Sequence, residues 1–382
     1  MSAFGLAMKE LRAKNNLSLR EAAARVPMSD TYWWRLENDQ RHVSEEIAVS
    51  IDKAFDQGGR LYALREQPQA RPVAAPPPLV PPPAPAGEPL GADDVDRMNA
   101  TVRQLIELDQ QFGADEIYQL GLRAFRAAQA RLGAGLVDPT QATEARRAAA
   151  ELAEVCGWLA YDADQQDLAR AMFNESQLDA ELIGDWHMET FVRDLRAMQA
   201  LHVGRPEEAL LMARRAIDHP QVKGRMQAIF QLRRGRALAA LGSEAEALDA
   251  LDCSFTALAD GMSSTDSPWT WWIHEAEVRL HRSLALSALG RHAQACEESL
   301  RSMELLPKAQ VRDWAVYQAY RIGVLTAAGA WGDAVAELAR LQTRWPDVRS
   351  TRTANLVMAA VARRGVPADV GDAARQCLAA AR

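Results

Sequence analysis

A helix that crosses a membrane needs an apolar run of about 18 residues, and the sequence lacks any such run. Its first residues, MSAFGLAMKELRAKNN, also lack the basic start and apolar stretch of a signal peptide. We therefore expect a cytoplasmic protein without a membrane partner.

Cysteine and histidine are scarce and scattered. The four cysteines are Cys156, Cys253, Cys296 and Cys377, and none forms a CxxC pair. The sequence contains no HExxH, no GxSxG, no glycine-rich phosphate loop and no paired-carboxylate motif. We expect buried thiols rather than disulfides, no metal site, no cofactor and no enzymatic activity.

β-Branched residues are also few, because Ala and Leu dominate the 48% of residues that are hydrophobic. No segment alternates apolar and polar residues as a half-buried strand does. The sequence therefore predicts an all-α fold, and its 382 residues suit two domains.

The charge is unevenly distributed along the chain. The net charge is −7, yet residues 1–66 hold ten Lys or Arg and ten Asp or Glu. A neutral N-terminal segment can bind DNA if its cations face one way, although it lacks a strong non-specific attraction.

Residues 67–92 contain ten of the chain's 18 prolines. Proline has a fixed φ and no N–H group, so this stretch joins neither a helix nor a sheet. It is interpreted as a semi-extended linker between a domain at 1–66 and a domain at 93–382. The alternative is a docking motif for a proline-binding partner.

The N-terminal segment predicts four short helices. The first covers residues 4–15, with Leu6 and Leu11 facing inward. Ser18 and Glu21 form a capping box for the second. Ser29 caps the third and Ser44 the fourth. Two short helices joined by a short turn, the second capped by Ser29, are typical of a helix-turn-helix.

The segment LSLREAAARVPMSDTYWWRLEND resembles the Cro/repressor (xenobiotic-response-element) family in register, helix caps and Glu37. Three residues depart from that family. Pro27 stands at the turn glycine, Leu19 at the usual glutamine and Asp39 at the closing glycine. The resemblance implies binding of double-stranded DNA through the third helix.

Helical spacing places Trp33 and Leu36 inward and the remaining third-helix positions outward. The alternatives are that Trp34 packs against a protein surface and that the arginines are only solvated. The candidate DNA contacts, including arginines for phosphates, are Arg20, Ser29, Asp30, Thr31, Trp34, Arg35, Asn38 and Arg41.

A turn residue followed five positions later by Ala recurs in the second half of the chain. It appears at Gly204, Gly242, Gly290 and Gly329, and in degenerate form at Asp164, at intervals of 40, 38, 48 and 39 residues. The glycine ends one helix and the alanine lets the next pack closely. The pattern predicts stacked helical hairpins, an α-solenoid with a concave side.

Residues 140–345 resemble the tetratricopeptide repeat family, although their periods exceed its standard length of about 34 residues. The resemblance implies a ligand groove. Arg233 and Arg234 could join Arg193 in holding an anion. The alternatives are helix packing for the tryptophans and solvation for the arginines. The candidate ligand contacts are Trp158, Arg193, Asp194, Met198, His202, Arg236, Trp269, Trp271 and Trp272.

The two resemblances together are typical of bacterial transcription regulators whose repeats sense a peptide or small molecule. They lead us to expect a homodimer, because two helix-turn-helix domains can read two half-sites. The alternative is a helical-repeat scaffold whose vestigial helix-turn-helix domain contacts other proteins.

Overall fold

The computed structural model describes residues 3–15, 17–26, 28, 30–38, 43, 45–55, 57–64, 89–259, 267–306, 311–348 and 350–379. In these ranges the chain is all-α, as predicted, and it contains no strand. A single β-bridge pairs Leu90 with Val137. Most of the predicted linker, 67–88, lies outside the described residues.

The chain divides into two compact units. The first consists of Met1–Pro76, Pro220–Ala228 and Thr256–Trp272. The second consists of Pro77–His219, Ile229–Phe255 and Ile273–Arg382. The predicted bounds of the two domains and the linker stay a prediction, and the pattern of repeats gave no sign that two short segments group with the N-terminal helices.

The N-terminal helices are short and closely packed. A capping box starts α2, where the Glu21 N–H donates to the Ser18 hydroxyl and the Ser18 N–H donates to the Glu21 carboxylate. The helices are α1 Ala3–Lys14, α2 Leu19–Ala24, α3 Asp30–Glu37, α4 Glu45–Ala54 and α5 Arg60–Leu64.

These helices, called the head below, share one apolar core. Trp33 and Leu36 are buried as predicted, and the Trp33 ring lies 5.6 Å from the Phe55 ring. The predicted inward position of Leu6 is wrong, because its side chain is 48% exposed. The apolar side chains of α1 that enter the core are at positions 4, 7, 8 and 11, and this helical repeat leaves residue 6 on the opposite side.

Fourteen longer helices follow as seven consecutive hairpins, counted within the described ranges. They are α6 Ala92–Phe112, α7 Ala114–Gly133, α8 Ala142–Asp162, α9 Gln166–Ile183, α10 Trp186–His202, α11 Pro206–Ile217, α12 Gly224–Ala240, α13 Glu244–Ala259, α14 Glu275–Ala288, α15 His292–Leu305, α16 Val311–Ala327, α17 Trp331–Gln342, α18 Thr351–Val361 and α19 Ala368–Ala379.

The recurring sequence pattern forms the turns of five hairpins. Gly204, Gly242, Gly290 and Gly329 have φ between 72° and 78°, a left-handed conformation that suits glycine. Asp164 holds the same position with φ 57° and is the only non-glycine residue with positive φ in the described chain. The alanine five positions later is fully buried in each case: Ala169, Ala209, Ala247, Ala295 and Ala334.

The hairpins stack side by side through their first helices. Contacts join α6 to α8, α8 to α10, α14 to α16 and α16 to α18. These contacts confirm the predicted solenoid-like body. Within the second unit α18 also contacts α8, so the last hairpin meets the second one.

Candidate functional sites

The position of α3 is set by a buried carboxylate at its end. The Arg12 guanidinium donates to both Glu37 oxygens at 2.7 and 3.0 Å, and the Trp33 indole N–H donates at 2.7 Å. The hydrogen bond that Arg12 donates to Glu37 raises the pKa of Arg12. Glu37 is 1% exposed, so these bonds tie α1 to α3 inside the head. The sequence analysis did not identify Arg12 as the partner of Glu37.

Trp34 is the predicted contact residue that the structure places most plainly on the surface. Its side chain is 42% exposed although it neighbours the fully buried Trp33 on α3. An exposed indole on this helix gives a large apolar surface of the kind that contacts thymine methyl groups or sugars.

Asn38 closes α3 and is half-buried. Its side-chain amide donates to the Trp34 carbonyl at 2.8 Å, and its side-chain oxygen accepts a hydrogen bond from Lys9 at 2.8 Å. These bonds give Asn38 a structural role at the helix end. Its contact with a base remains a prediction.

For the other candidate DNA contacts, the structure describes only the backbone or does not describe the residue at all. Asp30, Thr31 and Arg35 lie on α3 and Arg20 lies on α2, but their side chains are outside the described set. Ser29 and Arg41 lie outside the described residues.

The second unit contains a largely buried cluster of polar and charged side chains, called the inner polar cluster below. Each of six alternate helices, from α8 to α18, contributes at least one member, so it lies on the side where the first helices of the hairpins meet. Its members are Tyr161, Asp162, Asp194, Arg233, Arg236, Glu277, His281, Tyr317 and Arg352.

A buried ion pair joins α10 to α12. Arg233 donates to both oxygens of Asp194, at 2.8 and 3.2 Å, and both side chains are fully buried. Burial raises the pKa of Asp194, and the charge of Arg233 opposes that rise. Asp194 was a predicted ligand contact; its carboxylate accepts both hydrogen bonds from Arg233, and its contact with a ligand remains a prediction.

Arg236 is linked to a carboxylate on α14 through a histidine. Its guanidinium lies 3.0 Å from His281 Nδ1, and His281 Nε2 lies 2.8 Å from Glu277. An arginine can only donate and a carboxylate can only accept, so Nδ1 accepts from Arg236 and Nε2 donates to Glu277. Arg233 lies 3.3 Å from the same Nε2, farther away than Glu277. The Tyr317 hydroxyl also donates to Glu277.

The surroundings keep this histidine neutral and this carboxylate charged. Burial lowers the pKa of His281 to about 4, although Glu277 opposes the change. Burial alone would raise the pKa of Glu277, but His281, Arg233 and the Tyr317 hydroxyl outweigh it and hold the value at about 2.

Three further predicted ligand contacts lie together around Tyr161. The His202 ring meets the Tyr161 ring edge-on at 5.3 Å, and the Trp158 ring lies 5.9 Å from Tyr161. Met198 packs in the same apolar cluster as Trp158 and Tyr161. Burial, followed by the charge of Arg352, lowers the pKa of His202. The structure thus brings Trp158, Met198 and His202 to one place.

The remaining predicted contacts lie elsewhere. Arg193 is half-buried on α10. Trp269 and Trp272 lie on a 3₁₀ helix, Pro268–Trp272, with their rings 6.4 Å apart, and Trp269 is 8% exposed. That helix belongs to the first compact unit. The side chain of Trp271 is outside the described set.

The inner polar cluster was largely missed by the sequence analysis. Glu277 and His281 are one helical turn apart, which is a detectable signal for a paired acid and imidazole. Asp162 and Arg352 are 190 residues apart and carry no such local signal.

No group of three or more His, Cys, Asp and Glu side chains among the described residues is arranged to hold a metal ion. None of the helices in the described ranges has both the length and the apolar composition that a membrane span requires.

Comparison with known proteins identifies a domain in the head. Residues 3–64 match the family model described as a helix-turn-helix domain. No curated protein matches the chain. The matched segment covers α1 to α5, and α2 and α3 are its two short helices joined by a turn. This domain supports DNA binding and a role in transcription regulation.

Proposed function

We propose that the protein is a bacterial-type transcription regulator that binds double-stranded DNA through α3 and responds to an effector through its solenoid. The observation that carries this proposal is the helix-turn-helix match over residues 3–64. The exposed indole of Trp34 on α3 supports it, because the second helix of this motif enters the major groove.

The matching experiment is a gel-shift assay of the full chain against a pool of genomic fragments. Once a bound fragment is found, Trp34→Ala should weaken specific binding about 5- to 150-fold, as expected for a base contact of about 1–3 kcal/mol. Leu6→Ala is the matched control, because Leu6 is an equally exposed apolar side chain on α1. No shifted fragment, or equal affinity of folded Trp34→Ala and wild type, would overturn the proposal.

The solenoid belongs, in our proposal, to the tetratricopeptide class and is the sensor. Five left-handed turns followed by a fully buried alanine support this assignment. An effector changes DNA affinity only by its different affinities for two arrangements of the protein, so tenfold control needs about 1.4 kcal/mol of coupling. Low-molecular-mass extract of the native cells should change the affinity of the protein for its bound DNA fragment. Unchanged affinity with every extract fraction would contradict the role of the solenoid as a sensor.

The regulator acts, in our proposal, as a homodimer formed through the solenoid. One neutral head offers few phosphate contacts, and a two-fold pair of heads can read two half-sites about one helical turn apart.

A further inference from the structure

The two ends of the solenoid meet through charged side chains. Arg312, at the start of α16, donates to Asp109 Oδ1 at 2.7 Å and also to Asp162. Arg352, at the start of α18, donates to Asp162 Oδ1 at 2.8 and 3.1 Å. Asp109 and Asp162 lie at the ends of α6 and α8. The contacts therefore join the first two hairpins to the last two.

This contact has a buried centre and an exposed margin. Asp162 and Arg352 are both 5% exposed, and the Arg352 guanidinium lies 4.7 Å from the centre of the Tyr161 ring. At the margin, the Thr351 hydroxyl donates to Asp115 at 2.7 Å and its N–H donates at 3.2 Å. Thr351 is exposed, so water competes for this part of the contact.

The charged contact between the two ends is called the closure below. On each side of it, apolar packing holds the hairpins together in two separate clusters. One unites residues of α6 to α9, including Leu105, Leu122 and Leu159. The other unites residues of α16 to α19, including Leu338 and Val357. Burial of apolar surface is favourable throughout, whereas burial of paired charges costs desolvation that can equal their attraction. The net free energy that holds the closure together is therefore smaller than the net free energy that holds each hairpin together.

We propose that this closure is a latch, formed by Asp109, Asp115, Asp162, Arg312, Thr351 and Arg352, and that the second unit is a two-state device that opens at this seam. The hairpins on each side remain intact when it opens. Opening exposes Tyr161 and the carboxylate of Asp162, and with them one end of the inner polar cluster. This inference concerns the second unit alone and does not depend on DNA binding.

The latch is tested by measuring the distance between two spin labels across the seam in the full chain. Phe112→Cys on α6 and Met358→Cys on α18 supply the sites, which are 63% and 36% exposed. Cys253→Ser and Cys296→Ser remove the two half-buried native thiols. A second pair, Leu178→Cys and Leu211→Cys, lies on α9 and α11 of neighbouring hairpins and serves as the control.

We expect a short and a long distance across the seam, with the long one gaining population as salt screens the charges. Asp162→Asn should raise the ratio of open to closed at least about tenfold, because it removes a buried ionic partner. Asp115→Asn, at the exposed margin, should raise it about two- to fivefold. The control pair should keep one distance throughout.

The design separates opening from loss of structure. Helix content by circular dichroism is measured for each variant, and Asp115→Asn remains informative if Asp162→Asn does not fold. A single unchanged distance across the seam at every salt concentration and in the folded variants would overturn the latch. Equal changes in the control pair would overturn it too, since the hairpins would then be separating generally.

Discussion

At the scale of single residues, the head depends on one buried carboxylate. Glu37 receives hydrogen bonds from Arg12 and Trp33 and is almost inaccessible to water. A buried charge that loses its partner keeps its desolvation cost, so the loss exceeds the value of the pair itself. The packing of α1 against α3 therefore depends on a contact between two residues that are 25 positions apart in the sequence.

We predict that Arg12→Ala lowers the free energy of unfolding of the head by about 1–3 kcal/mol, since Arg12 keeps some exposure and part of the loss is screened. Urea denaturation followed by hydrogen exchange of the backbone amides of the head measures this change. Arg60→Ala is the control, because Arg60 is 64% exposed and lies 3.9 Å from Glu10. Equal midpoints for Arg12→Ala and wild type would show that the ion pair does not stabilise the head.

His281 and Glu277 are two single residues whose pKa shifts predict how the stability of the second unit changes in acid. The pKa of His281 falls from 6.5 to about 4 on folding, and that of Glu277 falls from 4.5 to about 2. Both groups bind protons more readily in the unfolded chain. Their contribution to stability is therefore present above the unfolded pKa and lost as pH falls through the folded pKa.

We predict that the stability of the second unit declines as pH falls from about 6.5 to 4, with Glu277 adding to the loss from about 4.5 to 2. His281→Gln keeps a donor and an acceptor but cannot be protonated, so it should flatten the upper part of this decline. Thermal unfolding across this pH range checks the slope. A slope unchanged by His281→Gln would mean that the imidazole does not govern it.

At the scale of helices, close packing depends on the smallest side chains. A Cβ atom added at Gly157 on α8 would lie 2.5 Å from two ring atoms of Phe173 on α9. Phe173 is fully buried, so its ring has little room to move. Any larger side chain at this position therefore forces the Phe173 ring or the backbone of α8 to shift.

We predict that Gly157→Ala destabilises the second unit by about 1–3 kcal/mol, the usual cost of overpacking. Gly133→Ala is the matched control, because that glycine also lies in a helix and an added Cβ meets nothing within 4 Å. The control should be neutral or stabilising by up to about 1 kcal/mol, since alanine favours helix. Chemical denaturation of the two variants compares them directly, and equal stability would contradict the packing argument.

At the scale of the whole molecule, the proposed regulator needs two heads. We predict a homodimer in solution at micromolar concentration, which static light scattering measures against the monomer mass of 42.0 kDa. Addition of a specific DNA fragment should give a complex of two chains per duplex. A monomer both with and without DNA would refute the dimer while leaving DNA binding by a single head untouched.

The sequence alone determined the features that arise within a few residues of one another. The capping box of Ser18, the inward positions of Trp33 and Leu36, and the left-handed turns at four glycines were all predictable, because helix caps, helical periodicity and glycine turns are local. The helix-turn-helix and the stacked hairpins follow from these local signals.

Only the tertiary structure decided which side chains meet across the molecule. The sequence predicted a ligand groove containing Asp194 and Arg236, whereas the structure pairs Asp194 with Arg233 and links Arg236 to His281. The contact of Asp162 with Arg352 joins residues 190 positions apart. Such pairs depend on how far each hairpin rotates against the next, and small rotations added over seven hairpins decide whether the ends meet. No single segment of the sequence contains that sum.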